Sequence, residues 1–192
     1  MNAARERVYP DEPAGPFPTP PRTIPVGDGR EATVRAYDGS ESELEALVAM
    51  YDAFDPADRA QGIPPTGETR IREWLDTVLR EGCHNVIAWV DDEAVGHATL
   101  VPDADAYELA IFVLQAYQGE GIGTALVETL LGHGADCGVE RVWLTVERWN
   151  TPAIGLYRKV GFEPSNSESF ELEMSIRLDP DESVAGQTES TG

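Results

Sequence analysis

A mixed α/β domain is what this sequence predicts, and three observations carry the prediction. Strand-like and helix-like apolar periods alternate between Glu31 and Leu178. A nearly continuous apolar strand runs into a glycine-rich loop and then a helix over 107–137. A further strand at Arg141 to Val146 closes a βαβ unit. Of the 192 residues 41% are hydrophobic and 26% charged, which suits one globular unit and excludes a wholly disordered, collagen-like or coiled-coil chain.

Seven of the 14 prolines lie between Pro10 and Pro25, in a stretch with no helix or strand period, so residues 1–29 are expected to form an extended, disordered arm. The folded domain is expected over 30–178. Glu31 to Tyr37 alternates as a strand does, and Ser40 with Glu43 forms a capping box ahead of Leu44, Leu47, Val48 and Tyr51 at helical spacing. A breaker-rich loop, Asp55 to Gly67, leads to a second amphipathic helix with Ile71, Trp74, Leu75, Val78 and Leu79 on one face and Gly82 as its stop.

Asn85 to Val90 and Ala94 to Leu100 read as a hairpin around the acidic turn Asp91 to Glu93. Tyr107 to Leu114 is apolar enough to be covered on both faces. The helix after the glycine loop shows Ile122, Ala125, Leu126, Leu130 and Cys137 as its apolar face. Asn150 to Val160 is a short helix closed by Gly161. Phe170, Leu172, Met174, Ile176 and Leu178 then alternate as a last strand with one face in the core. Residues 179–192 are acidic and aperiodic, as expected of a mobile tail.

Thirty-five acidic residues against 14 basic ones give a net charge of −21, which disfavours nucleic acid and anionic membranes as partners. Lys159 is the only lysine. Acidic excess with scarce lysine reads as adaptation to concentrated salt, where the Debye length falls to about 3 Å at 1 M and like charges repel little. There is no apolar signal-peptide core or membrane-spanning run, so a cytoplasmic protein with reduced Cys83 and Cys137 is expected. His133 and Cys137 lie four apart and Cys83 is next to His84, but no zinc spacing joins the four, and no metal site is expected. The G-x-S-x-G elbow of hydrolases is missing.

The glycine loop is the most informative segment. A helix N-terminus leaves its first N–H groups unpaired and partly positive, and glycines let an anion approach them. Gly119, Gly121 and Gly123 offer that geometry, although glycines so spaced also serve merely to pack a helix on a sheet. Thr124 stands where a dinucleotide fingerprint has its third glycine, and no P-loop lysine follows, so both nucleotide readings lose ground.

Gln118-x-x-Gly121-x-Gly123, preceded by the apolar strand and followed by Asn150-x-x-Ala153-x-x-Leu156-Tyr157-x-Lys159-x-Gly161-Phe162, resembles the GNAT family of acyl-CoA N-acyltransferases. The resemblance spans about residues 31–178. It implies a largely antiparallel central sheet with one parallel, splayed strand pair and flanking helices. It also implies acetyl-CoA as co-substrate, no metal or prosthetic group, and transfer of the acetyl group to a primary amine by direct attack in a ternary complex.

Residue by residue, the resemblance puts the backbone amides of Gln118, Gly119, Gly121, Ile122, Gly123 and Thr124 around the coenzyme pyrophosphate. The pantetheine arm would pair near Phe112 and Val113, with the Val113 amide facing the thioester oxygen. Tyr157 would protonate the departing thiolate. Asn150 would bind pantetheine, cap its helix or both, with Ala153 beside it, while Arg158 and Lys159 are candidates for the 3′-phosphate. Glu108 and Glu147 are the candidate bases for the acceptor amine, and Glu120, next to a polyanion, is expected to turn to water. Asp55 to Thr69 and Glu163 to Ser169 would shape the acceptor site, and a homodimer is common in the family. The alternative is a non-catalytic acyl-CoA-binding or regulatory module that kept the fold.

Overall fold

The computed structural model describes residues 7–55, 57, 63–166 and 170–180. Within them the chain forms strands β1 (Arg22–Pro25), β2 (Glu31–Ala36), β3 (His84–Val90), β4 (Glu93–Asp103), β5 (Ala106–Val113), β6 (Arg141–Glu147), β7 (Glu163–Asn166) and β8 (Glu171–Arg177). The helices are α1 (Glu41–Asp52), α2 (Glu68–Val78), α3 (Ile122–Asp136) and α4 (Thr151–Val160). The strands make one sheet in the order β1-β2-β3-β4-β5-β6-β8-β7. Every neighbouring pair is antiparallel except β5 and β6, so the predicted mixed sheet with one parallel pair is what the chain forms.

Local chemistry sets the element ends. The Ser40 hydroxyl accepts the Glu43 amide at 3.3 Å and caps α1, but the Glu43 carboxylate takes the amide of Asp38 at 2.9 Å, two residues before the cap. Asn150 caps α4 by accepting the Ala153 amide at 3.3 Å, and Gly161, at φ +124°, ends that helix while its amide reaches back to the Tyr157 carbonyl at 3.1 Å.

Two apolar layers sandwich the sheet. Leu126, Leu130, Val142, Leu144, Met174 and Ile176 belong to the α3/α4 side, and Leu47, Tyr51, Ile71, Leu75 and Ile87 to the α1/α2 side. Alternation along β5 sends Leu109, Ile111 and Val113 to the first layer and Phe112 to the second. Among the described residues no helix is long and apolar enough to cross a membrane.

Several expectations need correction. Residues 7–29 are not a disordered arm. Arg7 stacks 3.5 Å over the Trp143 ring and pairs with Asp103 at 2.9 Å. The Ser175 hydroxyl donates to the Val8 carbonyl at 2.7 Å, the Ala14 amide donates to the Arg177 carbonyl at 2.8 Å, and β1 extends the sheet. The segment crosses α3 so closely that a Cβ on Gly132 would lie 2.1 Å from the Pro18 carbonyl oxygen. Apart from β2, the partner of β1, these anchors lie about a hundred residues or more away in sequence and carry no local period. Residues 1–6 and 181–192 lie outside the described residues.

Cys137 is exposed, because α3 ends at Asp136 and Cys137 is its C-cap. Phe170 is 99% exposed and precedes β8, so the core alternation starts at Leu172. Most of β5 is only half-buried on both faces, because its neighbour β6 diverges from it. Part of the expected loop at Glu163 to Ser169 is strand β7, paired with β8, and 167–169 lie outside the described residues. Pro56 and 58–62 of the other expected acceptor loop also lie outside them.

Candidate active site

The parallel ladder between β5 and β6 is limited to Tyr107 opposite Val142 and Glu108 opposite Trp143. Beyond those pairs the strands separate and a cleft of about 520 Å³ opens between them. A separated strand leaves backbone groups turned into the gap, and the β4–β5 register shows which ones. Leu114 donates to the Val95 carbonyl at 2.9 Å, marking a hydrogen-bonded pair. Antiparallel ladders alternate, so Val113 opposite Gly96 is a non-bonded pair with its N–H and C=O turned away from β4. Phe112 opposite His97 is a bonded pair, so its backbone faces β4, and the residue lines the cleft.

The cleft gathers Glu108, Phe112, Gln118, Glu147, Asn150, Ala153 and Tyr157 of the candidate residues. Tyr157 is 7% exposed, and burial pushes its phenol well above the ordinary value, so it remains protonated across neutral pH. Glu108 is exposed along the cleft wall. Partial desolvation, aided by the Asp103 and Glu171 carboxylates and opposed by Arg7, raises its pKa.

Val113, Gly119, Gly121, Ile122, Gly123, Thr124, Arg158 and Lys159 do not line the cleft. Val113 and the loop residues offer backbone rather than side chains. Gly121 is the N-cap of α3 at φ +86°, a left-handed conformation that side chains resist, and Ala125 is the residue that closes the first helical turn onto it. The amides of Ile122, Gly123 and Thr124 therefore have no intrahelical acceptor. The Ile122 side chain is fully buried. Gly123 has a packing role: a Cβ there would lie 3.1 Å from Leu156 of α4. Arg158 and Lys159 are exposed in the last turn of α4. The Glu120 carboxylate accepts the Gly27 amide at 3.4 Å in a solvent-exposed contact.

A model of the Acetyltransferase (GNAT) family matches residues 47–162, more than half of the chain. The chain belongs to that family. A mycothiol acetyltransferase of Catenulispora acidiphila is 34% identical over 155 residues, covering 77% of this chain and 46% of its own. An uncharacterised N-acetyltransferase of Mycobacterium bovis is 36% identical over 84 residues, 43% of this chain and 54% of its own. The chain thus spans about half the length of these curated relatives. Among solved structures, the GNAT domain of S. lividans PAT superposes with a TM-score of 0.68 at 19% identity, over 82% of this chain and 97% of that one. A Sinorhizobium meliloti phosphinothricin acetyltransferase, solved with AcCoA, superposes with a TM-score of 0.63 at 19% identity, over 84% of this chain and 93% of that one. At such identities the likeness is one of fold.

Sequence reasoning did not single out other residues of this cleft. Thr145, Trp149 and Glu171 also line the cleft, and Trp149 is 76% exposed at its wall. Thr145 and Glu171 sit at period-2 positions that look like ordinary outward polar residues, so no local signal marks them. Beneath the cleft, fully buried His97 joins three elements: Tyr51 donates to its Nδ1 at 2.6 Å, its Nε2 lies 2.8 Å from the Asn85 carbonyl oxygen, and the Asn85 amide donates to the Val78 carbonyl at 2.9 Å. With Nε2 the donor to Asn85, His97 is the neutral tautomer, and desolvation pushes its pKa down to about 3.

Proposed function

We propose that this protein is an N-acetyltransferase that moves the acetyl group of acetyl-CoA to a primary amine by direct attack within a ternary complex. The observation that carries the reading is the divergence of β5 and β6, with the Val113 amide turned away from β4 and Tyr157 buried in the cleft wall. The amides of 118, 119 and 121–124 bind the pyrophosphate, supported by the positive end of α3. The pantetheine arm lies in the gap beside Val113, Asn150 and Ala153, and Lys159 with Arg158 reaches toward the 3′-phosphate.

In the reaction the neutral amine nitrogen attacks the thioester carbon, and the Val113 N–H stabilises the oxyanion that forms. Collapse of that intermediate breaks the carbon–sulfur bond, and the Tyr157 hydroxyl gives its proton to the leaving thiolate. The proton lost by the amine goes to Glu108, or to Glu147, directly or through water. Glu108, Glu147 and Glu171 line one cleft, which supports an acceptor that arrives as an ammonium ion. The acidic excess and single lysine support function in concentrated salt inside the cell.

Calorimetric titration of the purified protein with acetyl-CoA in molar KCl, with ATP and NAD as controls, tests the reading. Binding confined to the coenzyme, followed by thiol release with an amine, is expected. Coenzyme binding without transfer to any amine would instead indicate a regulatory acyl-CoA-binding module. A folded protein that binds none of the three would overturn both.

A further inference from the structure

At the end of the sheet near the C-terminus of α3, the fold brings together residues that the sequence keeps far apart. His84 opens β3 and is the register partner of Leu100 on β4. Gly134 of α3 packs against Leu100, where a Cβ would lie 2.8 Å from the leucine Cδ1, so the last turn of α3 settles onto the start of β3. His133 and Cys137, one helical turn apart, therefore face His84. One ligand atom from each of His84, His133 and Cys137 lies within 4.8 Å of the others. The two imidazole rings are 5.7 Å apart and nearly perpendicular at 84°.

We propose that His84, His133 and Cys137 form a binding site for a divalent transition metal of borderline softness, zinc above all. Two imidazole nitrogens and one thiolate are three of the four ligands of a tetrahedral zinc centre, and the exposure of Cys137 leaves the fourth position to water. Zinc bonds of about 2.0–2.3 Å require the 4.8 Å spread to contract by about 1 Å, within reach of side-chain rotation. The backbone at the site is held firmly: the Cys137 amide donates to the His133 and Gly134 carbonyls at 3.2 and 3.0 Å, and Val139 donates to Gly134 at 2.9 Å. Binding exchanges the Cys137 S–H for a sulfur–metal bond, and the thiol proton passes to buffer. The site is at the opposite end of α3 from the glycine loop, about 20 Å along the helix axis. It acts as a clip between α3 and β3 and takes no part in the acyl transfer proposed above.

The test titrates the reduced full-length protein with Co²⁺ as a spectroscopic stand-in, then displaces it with Zn²⁺. A single equivalent should give a thiolate-to-cobalt charge-transfer band with tetrahedral visible absorption, and one thiol proton should be released. Cys137→Ser should abolish that band and weaken Zn²⁺ at least tenfold. His84→Ala and His133→Ala should each weaken Zn²⁺ similarly, while Cys83→Ser keeps the full signal. A band that survives Cys137→Ser, or one that disappears with Cys83→Ser alone, would overturn the assignment, as would metal uptake with no thiolate band. Because the carboxylate-rich surface can hold Co²⁺ only through oxygen, the band distinguishes this site from that background.

Discussion

The Gln118 side-chain amide donates to the backbone carbonyl of Val113 across 3.0 Å, so the first residue of the glycine loop is tied to the last residue of β5. That bond engages the Val113 carbonyl and not its amide. It couples the glycine loop to the strand proposed to hold the thioester oxygen. Gln118→Leu removes the tie, and a net hydrogen-bond contribution of about 0.5–1.5 kcal/mol corresponds to a loss in acetyl-CoA affinity of roughly two- to tenfold. Calorimetric titration of the variant checks this.

Gly121 separates conformation from charge. Gly121→Ala adds a Cβ at φ +86°, with strain of about 1 kcal/mol and a modest loss of coenzyme affinity. Gly121→Asp adds a negative charge where the pyrophosphate is proposed to lie and should abolish binding altogether. Equal affinities of the two variants would place the anion elsewhere.

Tyr157→Phe should leave acetyl-CoA affinity nearly unchanged and lower kcat by about a hundredfold, the lower end of the range for a general acid. Steady-state thiol release measures both parameters. Wild-type turnover in the variant would remove the phenol from the mechanism.

Glu108 should set the acidic limb of the rate profile. Its carboxyl pKa is raised above 4.5 by desolvation and by Asp103 and Glu171, and the base acts only when ionised, so kcat/KM falls as pH drops through that raised value. Glu108→Gln should remove the limb along with most of the rate. If Glu147→Gln does this and Glu108→Gln does not, Glu147 is the base.

His97 should make the fold acid-sensitive. Its pKa is lowered from 6.5 to about 3, so the unfolded chain takes up a proton that the folded one refuses. The stability it contributes is complete above pH 6.5 and is lost as pH falls toward 3, at about 1.4 kcal/mol per pH unit. Urea unfolding across this range should show His97→Gln with a shallower slope than wild type. Parallel curves would show that the Tyr51–His97–Asn85 chain does not control the transition.

Much of this protein is written in short-range patterns. The Ser40 cap, the glycine entry to α3, the Asn150 cap and the Gly161 stop each depend on groups within a few residues, and the strand and helix periods repeat every two to four residues. The sequence by itself therefore determined the mixed α/β class, the order of its core elements and the two family motifs. Tertiary structure alone decided what depends on distant partners. Arg7 is ordered by Trp143 and Asp103, and His84 meets Cys137 only because Gly134 lets α3 settle on Leu100. The Val113 amide turns away from β4 on the side where β6 departs after two residue pairs, and Phe170 is exposed because β8 starts one residue later. Burial and backbone direction are set by what packs across the sheet, and contacts between segments a hundred residues apart leave no period in either segment.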